Sequence, residues 1–127
     1  MNILIVNYYK QYLEQFDYNV LREIEGEYKA KDIISLLTEQ NYDKVILDLT
    51  AIKNYKDLSN IREIATNIDS SRIIILLSNE ATTTSEYYVK NIINMGIYNY
   101  TIIPGEILSL IQNPRTYEEA KQYKINK

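Results

Sequence analysis

The chain is expected to fold as a three-layer α/β sandwich: a doubly wound sheet of five parallel strands with helices on both faces. Short continuous apolar runs alternate with segments of helical period, the pattern of repeated strand–helix–strand units. The strand-like runs are apolar at consecutive positions, as strands covered on both faces must be. The length of 127 residues fits one domain with a single sizeable core.

Residues 3–6 (Ile3-Leu4-Ile5-Val6) form the first strand. Residues 8–16 place Tyr9, Tyr12, Leu13 and Phe16 at helical spacing and form the first helix. Residues 18–24 are a more polar second strand, which belongs at an edge, and Gly26 punctuates it. Residues 30–40 form the second helix, with Ile33, Ile34, Leu36 and Leu37 inward. Residues 45–49 are the third strand, which delivers the carboxylate of Asp48 near its C-terminal end. Residues 57–68 form the third helix on a stripe of Ile61, Ile64, Ala65 and Ile68. Residues 73–77 are the most apolar strand and are expected at the centre of the sheet. Residues 84–95 form the fourth helix, with Tyr88, Val89, Ile92, Ile93 and Met95 inward and Gly96 as its C-terminal cap. Residues 99–103 are the fifth strand, and residues 105–112 a short fifth helix ended by Pro114. Right-handed crossovers leave few ways to connect these elements.

Residues 1–113 therefore form one unit, and residues 114–127 differ in kind. Thr116 and Glu119 stand in capping-box register, so residues 116–123 read as an extra helix. Its apolar face is Tyr117, Ala120 and Tyr123, too thin to hold it on the core by burial alone. The tail reads as a linker or extra helix leading toward a further domain or a partner subunit.

Composition narrows the chemistry. The apolar fraction of 46% and charged fraction of 24% are those of a globular protein. No apolar run reaches the roughly 18 residues of a membrane span, and the N-terminus lacks a signal peptide's basic flank and cleavage site; a cytoplasmic location is expected. With no Cys and no His, a zinc site or a nucleophilic triad is not expected, and any catalysis would rest on carboxylates, Lys, Tyr or hydroxyls. The net charge of −3 and the lack of basic clusters argue against nucleic-acid binding. No metal and no cofactor is expected, and no enzyme activity.

In open α/β sheets, chemistry gathers outside the carboxyl ends of the strands, which singles out Asp48. Tyr42-Asp43-Lys44-Val45-Ile46-Leu47-Asp48-Leu49 resembles the third strand of response-regulator receiver domains, the CheY-like family, with Asp48 in the phosphoacceptor position. Ile73-Ile74-Ile75-Leu76-Leu77-Ser78 resembles the fourth strand, with Ser78 at the switch hydroxyl. Gly96-Ile97-Tyr98-Asn99-Tyr100-Thr101-Ile102-Ile103-Pro104 resembles the fifth strand, and Glu25-Gly26-Glu27 the acidic-Gly-acidic turn. The likeness covers about residues 2–112 and implies a flavodoxin/CheY-like sheet of order 2-1-3-4-5. Two elements of the family's chemistry are missing. The first strand is followed by Asn7-Tyr8-Tyr9-Lys10 instead of Mg²⁺-holding acids, and Ile103 stands where receivers place a Lys. A phosphoryl group carries about −1.5 to −2 charges, and without metal or Lys its repulsion at Asp48 is uncompensated. Lys53, Glu80 and Asp17 are the groups that could make good the loss. The expected role for Asp48 is therefore structural, accepting backbone N–H bonds from neighbouring loops or capping a helix; the alternative is a phosphorylatable response-regulator receiver in which Asp48 takes the phosphoryl group and Ser78 senses it.

Gly96-Ile97-Tyr98-Asn99 followed by Asn113-Pro114-Arg115-Thr116-Tyr117 resembles the degenerate receiver domains that precede P-loop ATPases of the MinD/ParA class, as in TadZ/CpaE-type pilus-assembly proteins. That resemblance implies a pseudo-receiver that works by localisation or self-association, with the ATPase following the tail. The chain itself contains no Gly-x-x-x-x-Gly-Lys-[Ser/Thr] loop.

Thirteen Tyr stand against one Phe and no Trp. Tyr suits half-buried and interface positions, with apolar area and a polar tip. Tyr8, Tyr9 and Tyr12 cluster at the first helix, and Tyr87, Tyr88, Tyr98 and Tyr100 around the fourth helix and fifth strand. Receivers use the surface of the fourth helix, fifth strand and fifth helix for dimers and output contacts, so Tyr87, Tyr98 and Tyr100 are the expected interface residues for a protein partner or a homodimer. An AT-rich coding bias toward Tyr at half-exposed sites would give the same count without any interface.

Overall fold

The computed structural model describes residues 1–125. Five strands, β1 (Asn2–Val6), β2 (Val20–Glu25), β3 (Val45–Asp48), β4 (Ile73–Leu76) and β5 (Asn99–Thr101), form one parallel sheet in the order β2-β1-β3-β4-β5. This is the flavodoxin-like order, with its topological switch between β1 and β3. Among the described residues six α-helices accompany it: α1 (Lys10–Leu13), α2 (Ala30–Thr38), α3 (Leu58–Asn67), α4 (Glu86–Asn94), α5 (Ile107–Gln112) and α6 (Tyr117–Gln122). Among the described residues no helix is long and apolar enough to cross a membrane.

Successive strand residues serve opposite faces. Ile3, Ile5, Val45, Leu47, Ile73 and Ile75 pack with α2, α3 and α4. Leu4, Val6, Ile46, Ile74 and Leu76 pack with Leu13 of α1 and with Ile107 and Leu110 of α5. Both faces are covered, hence the unbroken apolar runs. The polar strand β2 is an edge, with only Ile24 buried among its six residues. The most apolar strand, β4, is interior but not central: the middle place belongs to β3, so β3 delivers Asp48 between β1 and β4.

The first helix is much shorter than the segment 8–16 that its spacing predicts. Only Lys10–Leu13 is regular helix, because the chain must turn back into β2. Asp17 accepts the Asn19 amide at 2.9 Å, and Asn19 takes a left-handed φ of 57°. Gly96 ends α4 as expected, at a φ of +91°. Its amide donates to the Ile93 carbonyl and that of Ile97 to Ile92. The left-handed φ is what calls for glycine, and a Cβ here would stand 2.6 Å from Ser70 Oγ, which would have to rotate away.

The tail is held by more than its thin apolar face. The capping box is present, with the Thr116 hydroxyl accepting from Glu119 and the Glu119 carboxylate from the Thr116 amide. Ala120 is fully buried beside α4, and its carbonyl accepts the Tyr100 hydroxyl at 2.7 Å. Ahead of the helix, one Arg115 nitrogen donates to the carbonyls of Tyr98 (3.2 Å) and Tyr100 (2.7 Å). Its guanidinium lies 3.8 Å from the Tyr123 ring centroid and 5.1 Å from that of Tyr100. β5 is an edge strand, so carbonyls of this kind are open to pairing with other chains. Arg115 occupies them. Replacing it by Ala removes charge-assisted bonds and ring stacking together, which we expect to cost about 2 kcal/mol. In Arg115→Ala, amide exchange should accelerate across 117–122 while β3 and β4 keep their protection.

Candidate functional site

The C-terminal edge of the sheet is where this fold places reacting groups, and Asp48 ends β3 there. Its side chain is fully buried. Oδ1 accepts the Thr50 amide at 3.0 Å and the Thr50 hydroxyl at 2.7 Å; Oδ2 accepts the amides of Asn7 and Tyr9, each at 2.9 Å. A carboxylate offers about four acceptor positions, and here four donors of the chain itself fill them. The Asp-Leu-Thr step makes this locally favourable, because an Asp accepts readily from the residue two ahead. The same step recurs at Asp57/Ser59 and Asp69/Ser71, each with amide and hydroxyl on one carboxylate oxygen. At those two exposed sites the Ser donors hold the carboxyl below its usual range.

Asp48 differs by recruiting a second loop. The segment Asn7-Tyr8-Tyr9 closes over it and is laced to Thr50: the Asn7 side chain donates to the Thr50 carbonyl (2.8 Å) and the Tyr8 amide to the Thr50 hydroxyl (3.0 Å). Tyr9 then reaches across the sheet edge, where its hydroxyl accepts the Asn79 amide at 3.0 Å. The residues standing where receivers hold acids thus form a lid. Each Asp48 oxygen thus already accepts two hydrogen bonds from the chain itself.

Ser78 is buried as well. Thr83 donates its hydroxyl proton to the Ser78 carbonyl (2.7 Å), and Ser78 donates its own to Thr83 Oγ1 (2.8 Å). Of the groups that could restore a phosphate site, Asp17 lies before β2, at the opposite edge of the parallel sheet. Lys53 lines a separate surface hollow with Lys29, Asn60 and Glu63. Glu80 is committed elsewhere: Tyr55 donates to it at 2.5 Å and Lys56 pairs with it at 2.8 Å. The Lys56 ammonium, then the Tyr55 hydroxyl, hold the Glu80 carboxyl down at about 2, while the bond to Glu80 pushes the Tyr55 hydroxyl up to about 12. Ile103 is exposed and aliphatic. Among the described residues no three His, Cys, Asp or Glu gather into a metal-binding group.

What remains above Asp48 is a hollow of about 480 Å³ walled by Tyr8, Tyr9, Tyr55, Asn79, Glu27 and Glu80. Among the described residues its lining includes no cation that could meet a phosphoryl group, and the cation beside its wall, Lys56, is already paired with Glu80.

The expected interface tyrosines are dispersed. Tyr87, on α4, is 72% exposed. Tyr98 is half-buried, its ring 5.8 Å from that of Tyr117. Tyr100 is buried to 1% exposure by the chain's own tail, and Tyr88 likewise lies in the core, so neither reaches the surface. No protein-family model, no curated protein and no solved structure matches this chain.

The expected structural role of Asp48, accepting backbone N–H bonds from neighbouring loops, is what the Asn7, Tyr9 and Thr50 amides supply; sequence reasoning missed which residues donate, and it missed Thr83 and Arg115. The repeated Asp-x-Ser/Thr step was the signal that could have identified Thr50.

Asp48→Ala orphans four donors at once and is expected to destabilise the fold by about 3 kcal/mol or more; Thr50→Val removes one hydroxyl from the same group and should cost about 1 to 2 kcal/mol. Urea unfolding of both variants checks the order. The Glu80–Tyr55–Lys56 contact has its own pH window. A carboxyl depressed from 4.5 to about 2 stabilises fully above the unfolded value and loses that contribution as pH falls toward 2. A phenol raised from 10.0 to about 12 contributes fully below 10 and loses it as pH rises toward 12. The difference in urea midpoint between wild type and Glu80→Gln should be largest between these limits and shrink toward both.

Proposed function

We propose that this protein is a non-catalytic, receiver-like module that acts through protein contact in the cytoplasm. The observation that carries the reading is the closed state of Asp48: a buried carboxylate whose acceptor positions are taken by Asn7, Tyr9 and Thr50. Phosphoryl transfer needs positioned cations around the transferred group, and the hollow above Asp48 is lined by Glu27 and Glu80 instead. With the chemical edge closed, the side formed by α4, β5 and α5, extended by α6, is the surface for self-association or for a partner. On the resemblance to TadZ/CpaE-type proteins, that partner is a MinD/ParA-type ATPase that the module positions in pilus assembly or secretion. Tyr87, largely exposed on α4, is its contact residue on that side.

Addition of beryllofluoride or acetyl phosphate with Mg²⁺ should leave the amide NMR spectrum unchanged. A Mg²⁺-dependent shift that vanishes in Asp48→Asn would overturn the reading and make the protein a working phosphoacceptor. Sedimentation velocity across a concentration series checks self-association: Tyr87→Ser should lower the dimer fraction, and a wild-type chain that stays monomeric throughout removes that arm.

A further inference from the structure

The docking of α6 creates a feature that the five-strand sandwich alone would lack. Between α4 and α6 runs an open groove of about 440 Å³. Its apolar lining comes from Val89 and Ile93 of α4, from Tyr117 of α6, and from Ile125 beyond it. Charge on its walls is unbalanced. Lys90, Lys121 and Lys124 line it, and among the described residues Glu86 is its one carboxylate. Lys121 pairs loosely with Glu118 at 3.8 Å and sits over the Tyr117 ring, whereas Lys90 and Lys124 form no ion pair among the described residues. The chain as a whole carries a net charge of −3, so this concentration of lysines runs against its overall field.

We propose that the groove binds an acidic amphipathic peptide segment of a partner protein. The claim rests on the contact-module reading above and supplies the partner's chemistry. Charge complementarity selects the occupant: apolar side chains fill the floor, and flanking Asp or Glu meet Lys90 and Lys124 at the rim. The nine residues of α4 span about 13 Å, enough for roughly four extended residues or two helical turns. A second copy of the chain is the other occupant this side could take, and the concentration series below separates it from a partner peptide. Arg115 is a positioning residue for the site, because it anchors the segment that forms the second wall.

The test is panning of a random dodecapeptide phage library against the full chain, followed by amide NMR mapping and fluorescence anisotropy with the recovered peptides. We expect enrichment of peptides combining Asp or Glu with Leu, Ile or Phe, shifts confined to α4, β5 and α6, and weaker binding at high salt. The exposed pair Lys90→Glu and Lys124→Glu should keep the wild-type thermal midpoint and lose at least ten-fold in affinity. Basic or neutral consensus peptides, or equal binding to the double variant, overturn the proposal. So do shifts of the groove amides that grow with protein concentration alone, which would mean a second copy. Acidic peptides that map to another face remove the groove and leave the contact reading standing. Failure to recover any peptide, with no self-association, removes both.

Discussion

The buried carboxylate of Asp48 ties together parts of the chain that are remote in sequence. It ends the central strand, organises the turn that follows, and fixes the loop after β1 through the Asn7 and Tyr9 amides. A buried ionised group without partners is costly enough to be avoided or neutralised. The four donors are therefore a condition for placing Asp48 there. Once they are present, the same bonds determine where Tyr8 and Tyr9 go, and through Tyr9 where the loop after β4 goes. Among the described residues no buried side-chain polar atom lacks a partner, and the Asp48 cluster contributes to that balance.

This reverses the usual relation between a sheet edge and its chemistry. In an open α/β site, loops at the carboxyl ends leave room for a substrate and aim donors at it. Here the loop donors are aimed inward at the protein's own acid. Similar geometry, with oxygen acceptors at the end of a strand and amide donors around them, can bind an anion or bind itself. The identity of the residues after β1 selects between these outcomes: side chains with no negative charge let the backbone approach Asp48, where acids would have repelled it and required a cation.

Most of the architecture was legible because burial on both faces leaves a direct mark on composition. The apolar runs at 3–6, 45–49 and 73–77 became β1, β3 and β4 almost unchanged, and Gly96 and the Thr116–Glu119 box could be read from residue type alone. What failed to show was set by partners distant in sequence. The length of α1 depends on a turn at Asp17–Asn19 that helical periodicity does not register. The burial of Tyr100 depends on a tail whose apolar face is too small to announce docking, and Arg115 carries no pattern that marks it as the fastener of an edge strand. For Asp48, its position and its role as an acceptor of loop amides could be read, but which residues donate could not, because hydrogen bonds from two loops leave no periodic trace.

The excess of tyrosine has a physical account that neither coding bias nor an interface supplies. Phe would fill the same apolar space, so the hydroxyl must explain the choice where the ring is buried. Tyr88 donates to the Tyr55 carbonyl, Tyr55 to Glu80, Tyr100 to the Ala120 carbonyl, Tyr123 to Glu106, and Tyr28 to the Glu25 carbonyl, while Tyr9 accepts from Asn79. These bonds join a loop or the tail to a neighbouring element, which is where a short-stranded sheet has backbone polar groups left over. Tyr55 and Tyr88 form a relay, so α4 is tied through Tyr88 to the loop after β3 and through Tyr55 and Glu80 to the loop after β4. Tyrosines used in this way are structural fasteners and cannot also serve a partner. Those outside the set, Tyr87 above all, have surface to offer, and counting tyrosines is therefore a poor guide to an interface until their hydroxyls have been traced.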